Sequence, residues 1–179
     1  YDQVPNQGLA QAMRTGFSLA RQQLTPNDLV LVMDADNTHP TGLMGRMVQT
    51  IFEGADVVIA SRYQTGARVV GLARFRVWLS IGASWMFRLR VGLPGVRDYT
   101  CGYRVYRCSL LFHAMERYGS KFIQQKGFAC MAEILMKFKP LRPIIVEVPM
   151  ILRYDLKGGD SKMRIWRTIK QTLRMLAAK

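Results

Sequence analysis

Apolar residues recur at helical spacing in residues 8–23, where Leu9, Ala12, Met13, Gly16, Phe17 and Ala20 share one face. That spacing predicts an amphipathic helix, and Pro26-Asn27 ends it. The next run, Leu29-Val30-Leu31-Val32-Met33, has no polar interruption and predicts a strand buried on both faces, as in a parallel sheet. It leads directly into Asp34-Ala35-Asp36. Pro40 precedes a helix predicted over 41–53, and Asp56-Val57-Val58-Ile59-Ala60 reads as a second buried strand ending at Ser61-Arg62-Tyr63. Strand, helix and strand in that order predict a βαβ unit with a right-handed crossover.

Downstream, 64–71 reads as a glycine-containing loop and 72–90 as a helix. The apolar middle of that helix is bracketed by Arg74, Arg76, Arg88 and Arg90. A short strand is expected at 103–106, with helices at 109–118 and 128–138. Residues 143–150 predict a strand at the sheet edge, because Pro143 and Pro149 cannot donate to a ladder. A charged loop over 153–161 follows. The last helix, 163–179, places Ile165, Trp166, Ile169, Leu173 and Leu176 on one side and Arg164, Arg167, Lys170, Gln171 and Arg174 on the other. The expected fold is α/β, a sheet flanked by helices over 1–162 and a terminal amphipathic helix over 163–179. With 179 residues, 49% of them hydrophobic, the chain can build a core, which argues against disorder. Cys101, Cys108 and Cys130 lack metal-type spacing and point to a reducing compartment. No apolar run reaches the roughly 18 residues of a membrane span.

Charge changes the picture. The chain carries 26 Lys+Arg against 12 Asp+Glu, a formal net charge of +14, which implies a polyanionic partner. The excess is local: residues 62–107 hold nine arginines, no lysine and one acid, Asp98, while residues 153–179 hold eight basic residues and two acids. Arginine suits bidentate contact with phosphate, so the two segments are expected to form a cationic face. A nucleic-acid-binding module is one class that fits such a charge, yet the arginines are not interleaved with stacking aromatics and no recognised nucleic-acid motif occurs.

The sharpest chemical signal is Asp34 and Asp36. In an extended segment, residues i and i+2 project to the same side, so both carboxylates can face one hard cation. They follow a buried strand, where open α/β sheets place ligands, and Mg²⁺ or Mn²⁺ bridging to a diphosphate suits them. A turn whose acids cap the next helix is the bland alternative. A haloacid-dehalogenase-like phosphatase using Asp34 as nucleophile is another, but it needs a downstream acidic pair, and no Asp-Asp occurs in the chain. His39 and His113 are isolated and read as structural.

Several segments, in order, resemble family 2 glycosyltransferases of the dolichol-phosphate mannosyltransferase type. They are Asn6-Gln7-Gly8-Leu9, Met33-Asp34-Ala35-Asp36 with His39-Pro40, Ala60-Ser61-Arg62-Tyr63, Arg76 with Ser80, Asp98-Tyr99-Thr100-Cys101-Gly102-Tyr103, Gly127-Phe128 with Glu133, Glu147-Val148-Pro149 and Gly159-Asp160-Ser161-Lys162. The resemblance implies a GT-A-like (Rossmann-like) nucleotide-sugar-binding sheet, here lacking its amino-terminal portion. It implies inverting transfer of a sugar from a GDP- or UDP-sugar to a polyprenyl phosphate. Carried over by position, Asp34 and Asp36 bind the metal and donor diphosphate, and Arg62 contacts donor phosphate or sugar. Asp98 and Glu133 match acids facing the sugar pocket; the alternative for both is a structural acid paired to neighbouring arginines. Arg76, Ser80, Ser161 and Lys162 match acceptor-phosphate segments. Thr38 stands where relatives often carry a Gln metal ligand, and Leu156 where they carry an Arg, with Lys157 as the neighbouring substitute. The expected partners are the nucleotide sugar, the lipid phosphate and an anionic membrane surface at the cytoplasmic face, met by the last helix unless its apolar side docks on the core instead; no nucleic acid is expected.

Overall fold

The computed structural model describes residues 5–72 and 74–157, with the backbone alone for 74–80 and 83. The helix expected over 163–179 lies outside these residues. Helix α1 (Leu9–Gln23) turns Ala10, Met13, Phe17 and Ala20 into the core: Met13, Phe17 and Ala20 as predicted, with Ala10 added, Leu9 only partly buried, and Ala12 and Gly16 exposed. Phe17 meets the ring of Tyr106 edge-on, with centroids 5.6 Å apart, and Phe138 closes the same aromatic cluster against Tyr106 and Phe122. Burying a ring of this kind contributes about 1.5–3 kcal/mol.

Strand β1 (Leu29–Val32) leads through a 3-10 turn (Thr41–Leu43) to α2 (Met44–Phe52) and β2 (Val57–Ser61). Then come β3 (Arg68–Val70), α3 (Arg74–Val91), β4 (Arg104–Arg107), α4 (Cys108–Tyr118), α5 (Ala129–Phe138), β5 (Ile145–Pro149) and β6 (Ile151–Arg153). The main sheet has the order β1-β4-β2-β5. β4 is antiparallel to both β1 and β2, and β5 is parallel to β2.

The expected βαβ order is observed: β1 and β2 run the same way in one sheet with α2 between them in the chain, and β4 lies between the two strands. Two expectations are corrected. All five residues of β2 are buried, whereas β1 is half-buried along its length. An unbroken apolar run marks a strand but does not fix its depth. Second, 64–71 is not all loop. It contains β3, paired in parallel with β6 from Arg68↔Ile151 to Val70↔Arg153, and three-residue strands are too short to show a period. This small sheet joins the two basic segments. The edge position expected for 143–150 is observed in β5.

One consequence positions the site. The carboxyl ends of β1, β2 and β5 and the amino end of β4 fall on the same edge of the sheet, so loops 33–40, 62–67 and 150–157 and the later part of loop 92–103 converge there. The earlier part of loop 92–103 runs along β5 from its amino end. Gly95 has φ 77, and a Cβ on it would stand 2.8 Å from the Ile145 carbonyl oxygen. Gly95→Ala is therefore expected to cost about 2–3 kcal/mol, combining left-handed strain with a backbone clash. Gly92→Ala, at φ 58 with no atom nearer than 3.8 Å, is expected to cost about 1 kcal/mol. Equal losses in denaturant melts would mean that loop and strand are not in contact.

Candidate active site

Past β1 the chain bends, and Asn37 takes the left-handed conformation at φ 62, which Asn tolerates better than most residues. The bend brings Thr38 back onto Asp36: its backbone N–H and its hydroxyl both donate to Oδ1, at 3.2 and 2.6 Å. The other oxygen, Oδ2, meets Lys157 Nζ at 2.8 Å. Burial pushes the Asp36 carboxyl up, but Lys157 and Thr38 outweigh it and hold it below the usual carboxylate range. Lys157 is raised in turn, chiefly by its hydrogen bond to Asp36, with the Asp34 charge adding to the effect. Asp36 makes the ion pair, and the Asp34 charge acts on the same ammonium more weakly.

Asp34 is fixed from two sides. Its backbone N–H donates to His39 Nδ1 at 3.2 Å, and its Oδ1 lies where a Cβ on Gly102 would come within 3.2 Å. Any side chain at 102 would press on that carboxylate. His39 is buried and stacked on Tyr103, with ring centroids 5.1 Å apart. Burial lowers its basicity against the attraction of Asp34 and Asp36, leaving a neutral ring that can accept the Asp34 N–H. His39 is structural, in direct support of the acid pair.

Arg62, just past β2, is clamped. Its Nε and Nη2 donate to the two oxygens of Asp98 at 2.8 and 2.6 Å, its backbone N–H donates to Oδ2 at 3.0 Å, and Nη2 also reaches Thr100 Oγ1 at 2.7 Å. Asp98 has no solvent exposure, and the Arg62 side chain has 17%. Asp98 accepts further N–H groups from Thr100 and Cys101. Burial opposes its charge, but Arg62 overrides this and holds the carboxyl below its ordinary value. Both Asp98 oxygens are engaged within the protein, and they orient Arg62.

Asp34, Asp36, Lys157, Arg62 and Asp98 are therefore gathered at one edge. Glu133 is on α5, buried, with Oε2 accepting the N–H groups of Gln124 and Gln125 at 2.7 and 2.8 Å; its described bonds fix that loop. Arg76 and Ser80 lie on α3, but their side chains fall outside the described residues, as do Ser161 and Lys162 entirely.

The arginine-rich segment is less of a cationic face than its composition implies. Arg104 is fully buried and donates to the Met131 and Tyr99 carbonyls, Arg107 donates to Ile51 and Ala55 carbonyls, and Arg62 faces Asp98. The same fork that fits phosphate fits carboxylates and carbonyls, so composition alone does not separate the uses. Sequence reasoning gave Thr100, Tyr103 and Glu147 no role of their own, although all three lie in segments that carry the family resemblance and Glu147 also stands out as an acid inside an apolar strand.

Among the described residues no group of three or more His, Cys, Asp or Glu is placed to hold a metal. Asp34 and Asp36 still fit an ion such as Mg²⁺, which takes one or two carboxylates and completes its shell with phosphate and water. The Lys157 ammonium already marks a point where positive charge is favoured.

The family profile described as "Glycosyl transferase family 2" matches residues 2–113, and the chain belongs to that family; its mixed α/β sheet is of the GT-A-like kind. It is 31% identical over 170 residues to a dolichol-phosphate mannosyltransferase of Pyrococcus furiosus, covering 93% of this chain and 43% of that protein. It is 31% identical over 156 residues to an undecaprenyl-phosphate mannosyltransferase of Micrococcus luteus, covering 87% and 60%. A polyprenol monophosphomannose synthase of Mycolicibacterium smegmatis is 30% identical over 156 residues, covering 87% and 56%. The chain thus spans about half the length of these relatives.

Removing one partner of a buried ion pair leaves the other charge uncompensated. Asp98→Asn is expected to cost about 3 kcal/mol or more at neutral pH. Because the folded-state carboxyl is lowered, its contribution is present above the unfolded value of 3.8 and disappears as pH falls through the folded one. Denaturant melts in a pH series should show the variant with a flatter acid limb below 3.8. An unchanged limb would separate Asp98 from the acid response.

Proposed function

We propose that the chain is the catalytic part of an inverting polyprenyl-phosphate glycosyltransferase, moving a hexosyl group such as mannose from a GDP- or UDP-sugar to a lipid phosphate. The observation that carries this reading is the placement of Asp34 and Asp36, just past β1, at the carboxyl edge where the Arg62 guanidinium is held at the end of β2. The names of the three relatives each join a polyprenol-type phosphate to mannose.

The chemistry suits such a site. A polyprenyl phosphate is anionic at neutral pH, so its oxygen attacks the anomeric carbon without a strong general base. The new carbon–oxygen bond forms as the bond to the diphosphate oxygen breaks, and the nucleoside diphosphate leaves with the electron pair. Asp34 and Asp36 would hold Mg²⁺ or Mn²⁺, which supplies charge neutralisation at the diphosphate. Arg62, oriented by Asp98 and Thr100, holds the donor. Arg76, Ser80, Ser161 and Lys162 are assigned to the acceptor phosphate. Lys157, at the root of the second of these segments, is assigned with them.

Membrane association belongs to the same reading. No helix among the described residues is long and apolar enough to cross a bilayer. Helix α3 does expose Trp85 and Leu89, at 58% and 79%, beside the exposed Arg88 and Arg90. An apolar patch bordered by arginines suits the interface of an anionic lipid surface and supports peripheral association, or an anchored one in the full-length protein, which this reading assigns to the cytoplasmic face.

Two measurements test this. With the full-length protein, Mn²⁺, a polyprenyl phosphate and a panel of nucleotide sugars, Asp36→Asn should lower transfer by about 10³-fold or more, the several kcal/mol that a phosphate-bound metal contributes. Its circular dichroism should match that of the parent; full activity would remove the metal assignment. Flotation with anionic vesicles should show binding that weakens with salt. Equal binding to neutral vesicles at every ionic strength would refute the electrostatic part, and tight RNA binding indifferent to Mn²⁺ would favour a nucleic-acid module.

A further inference from the structure

Glu147 is a buried acid that the proposed chemistry does not use. It sits in β5, opposite Ile59 of β2, with 6% of its surface exposed. Its Oε1 accepts two consecutive backbone N–H groups, those of Arg97 and Asp98, each at 2.6 Å. Its Oε2 is buried with no hydrogen-bond partner among the described residues. A carboxyl here is costly. Burial raises it above its ordinary value, the Asp98 charge adds repulsion, and only the two N–H groups and the nearby Ser61 hydroxyl oppose them. A β-branched apolar residue would satisfy this buried strand position without those penalties. What such a residue could not do is grip residues 97 and 98.

That grip acts at one point. Loop 92–103 is already tied down elsewhere: the Tyr99 ring stacks on Phe87, its hydroxyl accepts the Leu93 N–H, and Arg104 donates to its carbonyl. Ser84 holds the Arg97 carbonyl from α3. Glu147 adds the bond to Asp98 N–H, the peptide unit from which the carboxylate clamping Arg62 hangs. Three elements far apart in the chain are thereby linked: Glu147 on β5, Asp98 in the loop and Arg62 at the end of β2.

We infer that Glu147 is a positioning residue, which sets the Asp98 backbone so that Asp98 presents the Arg62 guanidinium to the donor. The inference rests on the reading above only in naming the donor. The grip itself is independent of any ligand.

The first measurement therefore uses none. In ¹⁵N-labelled protein, the Arg62 Nε–H, buried and bonded to Asp98, should give a resolved, slowly exchanging signal. In Glu147→Ala it should exchange at least about tenfold faster, the loss expected when a buried hydrogen bond is loosened. Glu147→Gln, which keeps an acceptor oxygen, should restore most of the protection. Glu147→Asp, too short by one methylene to reach both N–H groups, should restore little, and it supplies the comparison if the alanine variant does not fold. The second measurement is kinetic: the KM for the nucleotide sugar should rise in Glu147→Ala and Glu147→Asp, that for the lipid phosphate should not, and Gln should again rescue. Unchanged Arg62 exchange in folded Ala and Asp variants, or no difference between Gln and Asp, would overturn the inference. Altered exchange in a protein that transfers no sugar would instead leave the positioning intact and sink the transferase reading.

Discussion

The buried pair between Arg62 and Asp98 is the constraint on which the rest of the site depends. Taking both charges out of water carries a large desolvation cost, and Coulomb attraction alone seldom returns it. Here the return comes from hydrogen bonds: Asp98 accepts from the guanidinium, from the Arg62 backbone and from Thr100 and Cys101. The pair joins the end of β2 to the loop that enters β4. Four residues further along, Gly102 lies against the Asp34 carboxylate, and Tyr103 stacks on the His39 that receives the Asp34 N–H. The guanidinium side and the carboxylate side of the site are thus two ends of one short segment, 98–103. A displacement of Asp98 would reach Asp34 through packed backbone.

The electrostatics of the edge follow from what each charge faces. Asp34 and Asp36 together outweigh Lys157, so this part of the edge is acidic within a strongly basic chain. A diphosphate would be repelled by the two carboxylates unless positive charge stood between them, the standard situation in which a divalent ion is recruited. Arg62 does not fill that role, because Asp98 neutralises it locally and its value lies in geometry. A guanidinium held in a bidentate fork loses little further freedom when it meets a ligand, so orientation is set before binding.

The legible parts of the sequence were those with a long period or a chemical signature. The α1 and α5 helices, the β2 run Val57–Ser61 and the acid pair could all be located from spacing alone. The illegible parts depended on contacts between distant residues. Nothing in Arg104-Val105-Tyr106-Arg107 announces that this strand inserts between β1 and β2, or that Arg104 is buried while other arginines of the same segment are exposed. Likewise, β3 and β6 are each three residues long and become strands by pairing with one another. Asp98 could be picked out as important, but whether it would face a sugar or an arginine turned on a partner 36 positions away.

The reversed direction of β4 is what makes the site possible. In an all-parallel sheet, every strand enters from the amino edge, and only the segments that follow strands reach the ligand side. Because β4 runs against β1 and β2, the segment that precedes it arrives at the carboxyl edge instead. Had β4 run the other way, residues 98–103 would stand across the sheet, separated from Asp34 by the length of a four-residue strand, roughly 13 Å at 3.3 Å per residue. Neither the Arg62–Asp98 pair nor the Gly102–Asp34 contact could then form. The antiparallel insertion of β4 between the two strands of the βαβ unit is therefore the feature that brings a preceding loop into contact with two following ones.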